Sequence, residues 1–282
     1  MLTLTSPCKI NLFLHVIGRR ADGYHNLQTA FQILKFSDRV SIWDSDTLAV
    51  EDLPGVKGED NLVYRAALLL KQFALENSLG RGSTFGALIA IQKQIPMGAG
   101  LGGGSSNAAT VLHGLNVLWR LGLNTRQLCA LGLQLGADVP VFLKGYSAWG
   151  EGVGEKLEAI ELPAKWFLVI KPNCKVSTAE IFSNPELTRN SSPITMARLL
   201  EGESRNDCES IVRKLFPEVD AALSWLSSCG LARMTGTGSC VFIELDSKEQ
   251  AEDIQVQVPS TWQSFVAEGV NKSPLLDELA LA

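Results

Sequence analysis

Residues 96–109 read PMGAGLGGGSSNAA, with five glycines and two serines, and run straight into the apolar stretch TVLHGLNVLW. Glycines ahead of a helix let the backbone take positive φ and bring N–H groups close to a ligand without Cβ interference. The helix behind them adds free amides and the positive end of its dipole. Ser105 and Ser106 add hydroxyl donors at the first turn, so the stretch favours a polyphosphate, with Lys93 nearby as a charge on the phosphate or ribose side. A second candidate set lies in CKINLFLHV (residues 8–16), where Lys9, Asn11, Phe13 and His15 alternate with Ile10, Leu12, Leu14 and Val16. The aliphatic face is a core face. A lysine on the other face of such a strand needs a partner.

Common phosphate motifs do not describe the loop. The P-loop requires a lysine after its last glycine, and here Gly103 is followed by Gly104 and Ser105. A dinucleotide fingerprint forced onto Gly100-x-Gly102-x-x-Ser105 lacks its third glycine. A flexible linker is disfavoured because the loop sits between two well-patterned elements. FGALIAIQKQI (85–95) alternates as a strand, while Ala108, Val111, Leu112, Leu115 and Leu118 mark one helix face. NLVYRAALLLKQFAL (61–75) has helical spacing, with Asn61 placed to cap it. LQTAFQILKFSDRVSIW reads as one or two strands after a turn at Asp22-Gly23. NTRQLCALGLQLGADVPVFL gives a further helix and then a turn at Gly136-Ala137-Asp138, where an Asp before a helix is ordinarily an N-cap. Residues 145–156 are glycine-rich and polar, and read as a crossover between two halves. WFLVIKP, helical stretches near 196–201 and 207–229, and the strand CVFIEL complete an α+β pattern without repeats.

A chain of 282 residues that is 46% hydrophobic and 20% charged is globular, and its net charge of −5 without a basic block argues against nucleic acid. Six scattered cysteines without a C-x-x-C pair, together with only three histidines, make a zinc site unexpected and suggest a reducing compartment. No apolar run approaches the ~20 residues of a membrane span, and the first residues carry no basic region or cleavage site. A cytoplasmic protein, monomeric or weakly dimeric and away from membranes, is expected.

The stretch Pro96-x-Gly98-Ala99-Gly100-Leu101-Gly102-Gly103-Gly104-Ser105-Ser106 resembles the ATP loop of the GHMP kinases. Pro7-Cys8-Lys9-Ile10-Asn11-Leu12 and Thr235-Gly236-Thr237-Gly238-Ser239 resemble that family's first and third motifs. Asp22-Gly23-Tyr24-His25 and Val176-Ser177-Thr178-Ala179-Glu180-Ile181-Phe182 resemble only the branch acting on a cytidylyl-linked alcohol of the methylerythritol phosphate route. The resemblance runs from about residue 6 to residue 274. It implies a two-domain α+β fold, with a ribosomal-protein-domain-2-like ATP-binding half (1–147) and a ferredoxin-like half (148–282). It further implies ATP as co-substrate, Mg²⁺, and a small cytidylyl substrate.

By the same resemblance, Asp138 is the base that takes the proton of the attacking hydroxyl, and Lys9 pairs with it. Asn11 contacts the substrate, Tyr24 or Phe182 stacks on the pyrimidine, His25 bonds its edge, and Thr178 adds a polar contact. ATP falls to Asn61 at the adenine, to Lys93, and to the loop residues Pro96, Met97, Gly98, Ala99, Gly100, Leu101, Gly102, Gly103, Gly104, Ser105 and Ser106. Thr235 and Thr237 stand where other members carry Ser, and Asn107 stands where some carry an acid, so no metal ligand is assigned. His15 and His113 read as structural. Two rival readings are a kinase of the same family for a simpler alcohol such as homoserine or mevalonate, and a nucleotide-binding regulator that has lost catalysis.

Overall fold

Two long strands, β1 (Leu2–Arg19) and β2 (His25–Asp44), pair antiparallel around the turn expected at Asp22-Gly23. The Asp22 carboxylate closes that turn by accepting from the Tyr24 amide at 3.1 Å and from Arg20 Nε at 3.0 Å. The computed structural model describes residues 1–52, 56, 58–80 and 85–281. Next come β3 (Leu48–Val50), α1 (Leu62–Glu76), β4 (Ala87–Gln92), α2 (Gly103–Leu118), α3 (Thr125–Leu135) and α4 (Val139–Lys144). After these come β5 (Ala148–Gly152), β6 (Lys156–Ala159), β7 (Trp166–Lys171), α5 (Thr178–Ser183), α6 (Met196–Leu200), α7 (Glu209–Leu215) and α8 (Pro217–Ser227). The chain closes with β8 (Arg233–Met234), β9 (Val241–Leu245), α9 (Lys248–Gln255), β10 (Gln263–Val270) and α10 (Pro274–Ala280).

β2 is one strand of 20 residues, and it joins the two halves. β1 covers one of its edges, while β5, β10 and β4 share the other, pairing with its first, middle and last thirds. Only Gly269 and Val270 of β10 make that middle pairing, so the bridge between halves is short. The C-terminal strands stand in the order β10-β7-β9-β8, all antiparallel, with helices between β7 and β8 and between β9 and β10. This is the β-α-β-β-α-β arrangement of a ferredoxin-like half. None of the described helices is long and apolar enough to cross a membrane.

Two expectations change. β1 does not have one core face and one polar face: from Leu4 to Val16 nearly every residue is buried on both sides. A shift of register between Asn11 and Leu14 breaks the alternation, so Leu12 and Phe13 pack in the same core. Residues 145–156 are not a crossover. They hold β5, the turn, and the start of β6, a hairpin whose β5 pairs with Leu27–Phe31 of β2. A division at 147/148 would cut this hairpin from its sheet. We propose a boundary after β6, with α10 returning to the N-terminal half, where Glu278 accepts a hydrogen bond from the Thr5 amide at 2.6 Å.

Candidate active site

The glycine loop closes the space between β4 and α2. Gly102 is the N-cap of α2 at φ +71°, so no side chain caps the helix and no acidic residue lies in its first turn. The first amides of α2 and the positive end of its dipole are therefore left to a ligand. A Cβ at Gly102 would lie 2.8 Å from the Phe142 ring and 3.2 Å from Lys9 Cε, and one at Gly100 would lie 2.4 Å from the Thr235 carbonyl. Both positions thus exclude a side chain by space as well as by φ. The third motif braces the loop from outside: the Cys240 amide donates to the Ala99 carbonyl at 3.1 Å, and the Thr235 hydroxyl to the Gly100 carbonyl at 3.3 Å.

Around this loop opens a groove of about 480 Å³. Asn61, Lys93, Pro96, Met97, Gly98, Ala99, Gly100, Leu101, Gly102, Gly103, Gly104 and Ser105 line it. Asn61 caps α1 as expected, its Oδ1 accepting from the Val63 amide at 3.0 Å. The two serines part company. Ser105 lines the groove, whereas Ser106 is fully buried and shares a hydrogen bond of 2.8 Å with the Ser6 hydroxyl. The expectation that Ser106 offers a donor to phosphate is corrected: one residue further along α2, the side chain has rotated toward β1.

Lys93 is likewise committed. Its ammonium forms an ion pair with Asp38 and donates to Asn107 Oδ1 at 3.1 Å. Asp38 is wholly buried and also accepts from the amides of Gln94 and Ile95, at 2.7 and 2.8 Å, and from Asn107 Nδ2 at 2.9 Å. Asn107 thus belongs to a buried network under the loop. Asp38→Ala would strand these donors. A loss of about 3–5 kcal/mol of stability is expected, read as a lower urea midpoint without ligand; an unchanged midpoint contradicts the network's structural role.

On the other side of the loop lies a cavity of about 710 Å³, and Gly100, Gly102, Ser105 and Thr178 line both spaces. Lys9 and Asp138 line the larger cavity, with Lys9 Nζ 3.1 Å from Asp138 Oδ2. Lys9 is 3% exposed and donates also to Asn11 Oδ1 at 2.7 Å and to the Gly100 carbonyl at 3.1 Å. Its three hydrogens therefore have three acceptors, one of them a carboxylate. Asp138 occupies the N-cap position of α4, yet its side chain makes no cap hydrogen bond. Pro140 in the first turn removes one donor that a cap would serve. The carboxylate is thus free to face Lys9 and the cavity, with its side chain 35% exposed. Asn11 is held from both sides, because its Nδ2 donates to the Thr29 hydroxyl at 2.9 Å while its Oδ1 accepts from Lys9. In this structure Asn11 orients Lys9, and one amide hydrogen is left for a substrate.

The far end of the larger cavity is aromatic. Tyr24 is 66% exposed at its edge. His25 is buried and lies face to face with Phe182, ring centroids 5.2 Å apart and 27° between planes. Burial and the guanidiniums of Arg189 and Arg19 hold the His25 ring below the ordinary histidine range. The Thr178 hydroxyl bonds that of Thr237 at 2.9 Å, tying α5 to the third motif. Of the other histidines, His113 donates to the Leu143 carbonyl at 3.0 Å and His15 packs edge-on against Phe13, and neither lines the groove or the larger cavity.

Three contributors were not singled out as site residues from the sequence: Thr29, which orients Asn11; Thr237; and Arg189, which holds His25. Thr237 lay inside a quoted motif. Thr29 and Arg189 have no local signal, since each acts through a residue distant in sequence.

Two family models, curated relatives and solved structures match this chain. The GHMP kinases N terminal domain matches residues 61–146, and the GHMP kinases C terminal domain matches residues 185–264. A 4-diphosphocytidyl-2-C-methyl-D-erythritol kinase of Nitrosococcus oceani (strain ATCC 19707 / BCRC 17464 / JCM 30415 / NCIMB 11848 / C-107) is 52% identical, covering 98% of this chain and 98% of the relative. One of Hahella chejuensis (strain KCTC 2396) is 49% identical over 99% of this chain and 96% of its own length. A crystal structure of 4-(cytidine 5'-diphospho)-2C-methyl-D-erythritol kinase superposes with a TM-score of 0.80 at 32% identity, covering 95% of this chain and 99% of that one. The mevalonate kinase of Methanococcus jannaschii, at 17% identity and a TM-score of 0.71 over 96% and 98% of the two chains, shares the fold.

Proposed function

The chain belongs to the GHMP kinase family, and from that premise we propose that it transfers the γ-phosphoryl group of ATP to the 2-hydroxyl of 4-diphosphocytidyl-2-C-methyl-D-erythritol. The observation that carries this reading is that two cavities share the wall formed by Gly100, Gly102 and Ser105, with the Lys9–Asp138 pair in the larger one and Lys9 bonded to the Gly100 carbonyl. One is a groove roofed by a bare helix N-terminus; the other ends in Tyr24, His25 and Phe182. A volume of about 710 Å³ suits a nucleotide-linked substrate and is large for homoserine or mevalonate alone.

The roles follow from the positions. ATP lies in the smaller groove with its adenine toward Asn61 and its phosphates on the first amides of α2. The acceptor hydroxyl enters from the larger cavity beside Asp138. Phosphoryl transfer asks the protein chiefly for alignment and charge stabilisation. Asp138 accepts the hydroxyl proton as the oxygen attacks phosphorus. Lys9 holds the carboxylate in place and offsets negative charge gathering beside it. The donor set fits a magnesium ion carried mainly by phosphate oxygens, as this ion prefers. Among the described residues no group of three or more His, Cys, Asp or Glu could hold a metal alone, while Ser105 lines both cavities. Ser105 would be the side chain placed to hold such an ion, which would supply charge neutralisation to the transferring group.

Phosphorus NMR of the reaction mixture tests the assignment. A new phosphomonoester on the 2-hydroxyl, with the diphosphate bridge intact, is expected. Phosphate appearing on any other oxygen contradicts the placement of the acceptor beside Asp138.

A further inference from the structure

Arg189 directs four of its five N–H donors to the aromatic end of the cavity. Its Nε donates to His25 Nε2 at 3.0 Å, its Nη1 to the Leu187 carbonyl at 3.1 Å, and its Nη2 to the carbonyls of Phe182 and Asn184 at 2.9 and 2.8 Å. The guanidinium thus ties together the end of α5, the turn after it, and the histidine that starts β2. An arginine Nε always carries its proton, so the ring nitrogen that faces it must be the one with a lone pair. The proton of the neutral imidazole is then on Nδ1. Nδ1 has no hydrogen-bond partner among the described residues, and the ring lines the cavity.

We infer that Arg189 is a positioning residue that fixes His25 as a neutral Nδ1–H donor, and that this makes the cavity selective for a pyrimidine presenting an acceptor. The inference rests on the cytidylyl reading of the cavity. Cytosine offers a lone pair at its ring N3, whereas uracil carries a proton there. A donor that cannot exchange roles meets cytosine with a hydrogen bond and uracil with two opposed hydrogens. A free histidine could turn over its tautomer and accept from uracil; a histidine pinned by Arg189 cannot. Burial, and then the cationic Arg189 and Arg19, also disfavour the imidazolium and lower the ring's pKa from the ordinary histidine value.

The chain has only three histidines, so imidazole nitrogen NMR resolves each ring. In the wild-type protein without substrate, His25 is expected as the Nδ1-protonated neutral tautomer between about pH 6 and 8. In Arg189→Met the ring should move toward the Nε2-protonated form and titrate nearer its ordinary value. Arg189→Lys keeps the charge but lacks the planar fork; it should release the tautomer while holding the ring mostly neutral, and it serves if the methionine variant does not fold. With substrate, the preference for a cytidylyl over a uridylyl acceptor in kcat/KM should fall roughly tenfold in both variants. A wild-type His25 protonated on Nε2, or variants that keep both the tautomer and the preference, overturns the inference. If the wild-type protein turns over neither acceptor, the functional reading fails, and the spectra recorded without substrate still decide the role of Arg189.

Discussion

Asp138→Asn is expected to lower kcat by about 10²- to 10⁴-fold with little change in the KM for ATP. The amide is isosteric, so the turn at 136–138 and the approach of α4 to the loop stay as they are. It removes only the capacity to take a proton and the negative charge opposite Lys9. The side chain caps no helix amide, so the substitution does not unfasten α4. A fall in kcat without loss of stability therefore separates the proton acceptor from an ordinary helix-cap Asp. Steady-state kinetics together with a thermal melt make the measurement. Near-normal turnover contradicts the assignment; low turnover with a collapsed melting temperature points instead to a structural Asp.

The second large effect belongs to Lys9. Lys9→Met keeps the length and apolar stem of a residue that is 3% exposed, and deletes an ammonium with three partners. A loss of roughly 10²- to 10³-fold in kcat is expected, the range seen when one preorganised donor to a developing charge is removed. Lys9→Arg should not restore activity. A Cβ at Gly102 would already lie 3.2 Å from Lys9 Cε, and the planar guanidinium needs more room than that loop leaves. The two sites are in contact, so the Lys9→Met, Asp138→Asn double variant should be little worse than the poorer single one. Multiplying losses would mean that the two side chains act separately.

Local chemistry was easy to read in this chain. The glycine-to-helix transition, the Asn61 cap and the alternation of β4 are short-range patterns, and the structure reproduces them. What sequence hid is pairing at a distance. Lys9 on β1 and Asp138 at the start of α4 are far apart in sequence, and nothing in either neighbourhood names the other; only the family resemblance joins them without the structure. Lys93 was read toward a ligand because its buried partner Asp38 sits on another strand. Ser106 looked equivalent to Ser105 because periodicity alone does not say where β1 crosses the helix. The hairpin of β5 and β6 passed for a crossover because glycines at 150, 152 and 154 hide its alternation. β10 interrupts its apolar Phe265, Val266, Ala267 and Val270 with Glu268 and Gly269, so its alternation is weak, and it is fixed by its neighbours β7 and β2.

The most direct test of the two-cavity account is ADP release from purified protein with magnesium and ATP. The acceptors compared are 4-diphosphocytidyl-2-C-methyl-D-erythritol, homoserine, mevalonate and galactose. Turnover with the cytidylyl acceptor alone is predicted. Turnover with one of the simple alcohols, and none with the cytidylyl compound, would leave the glycine loop its nucleotide and contradict the reading of Tyr24, His25 and Phe182.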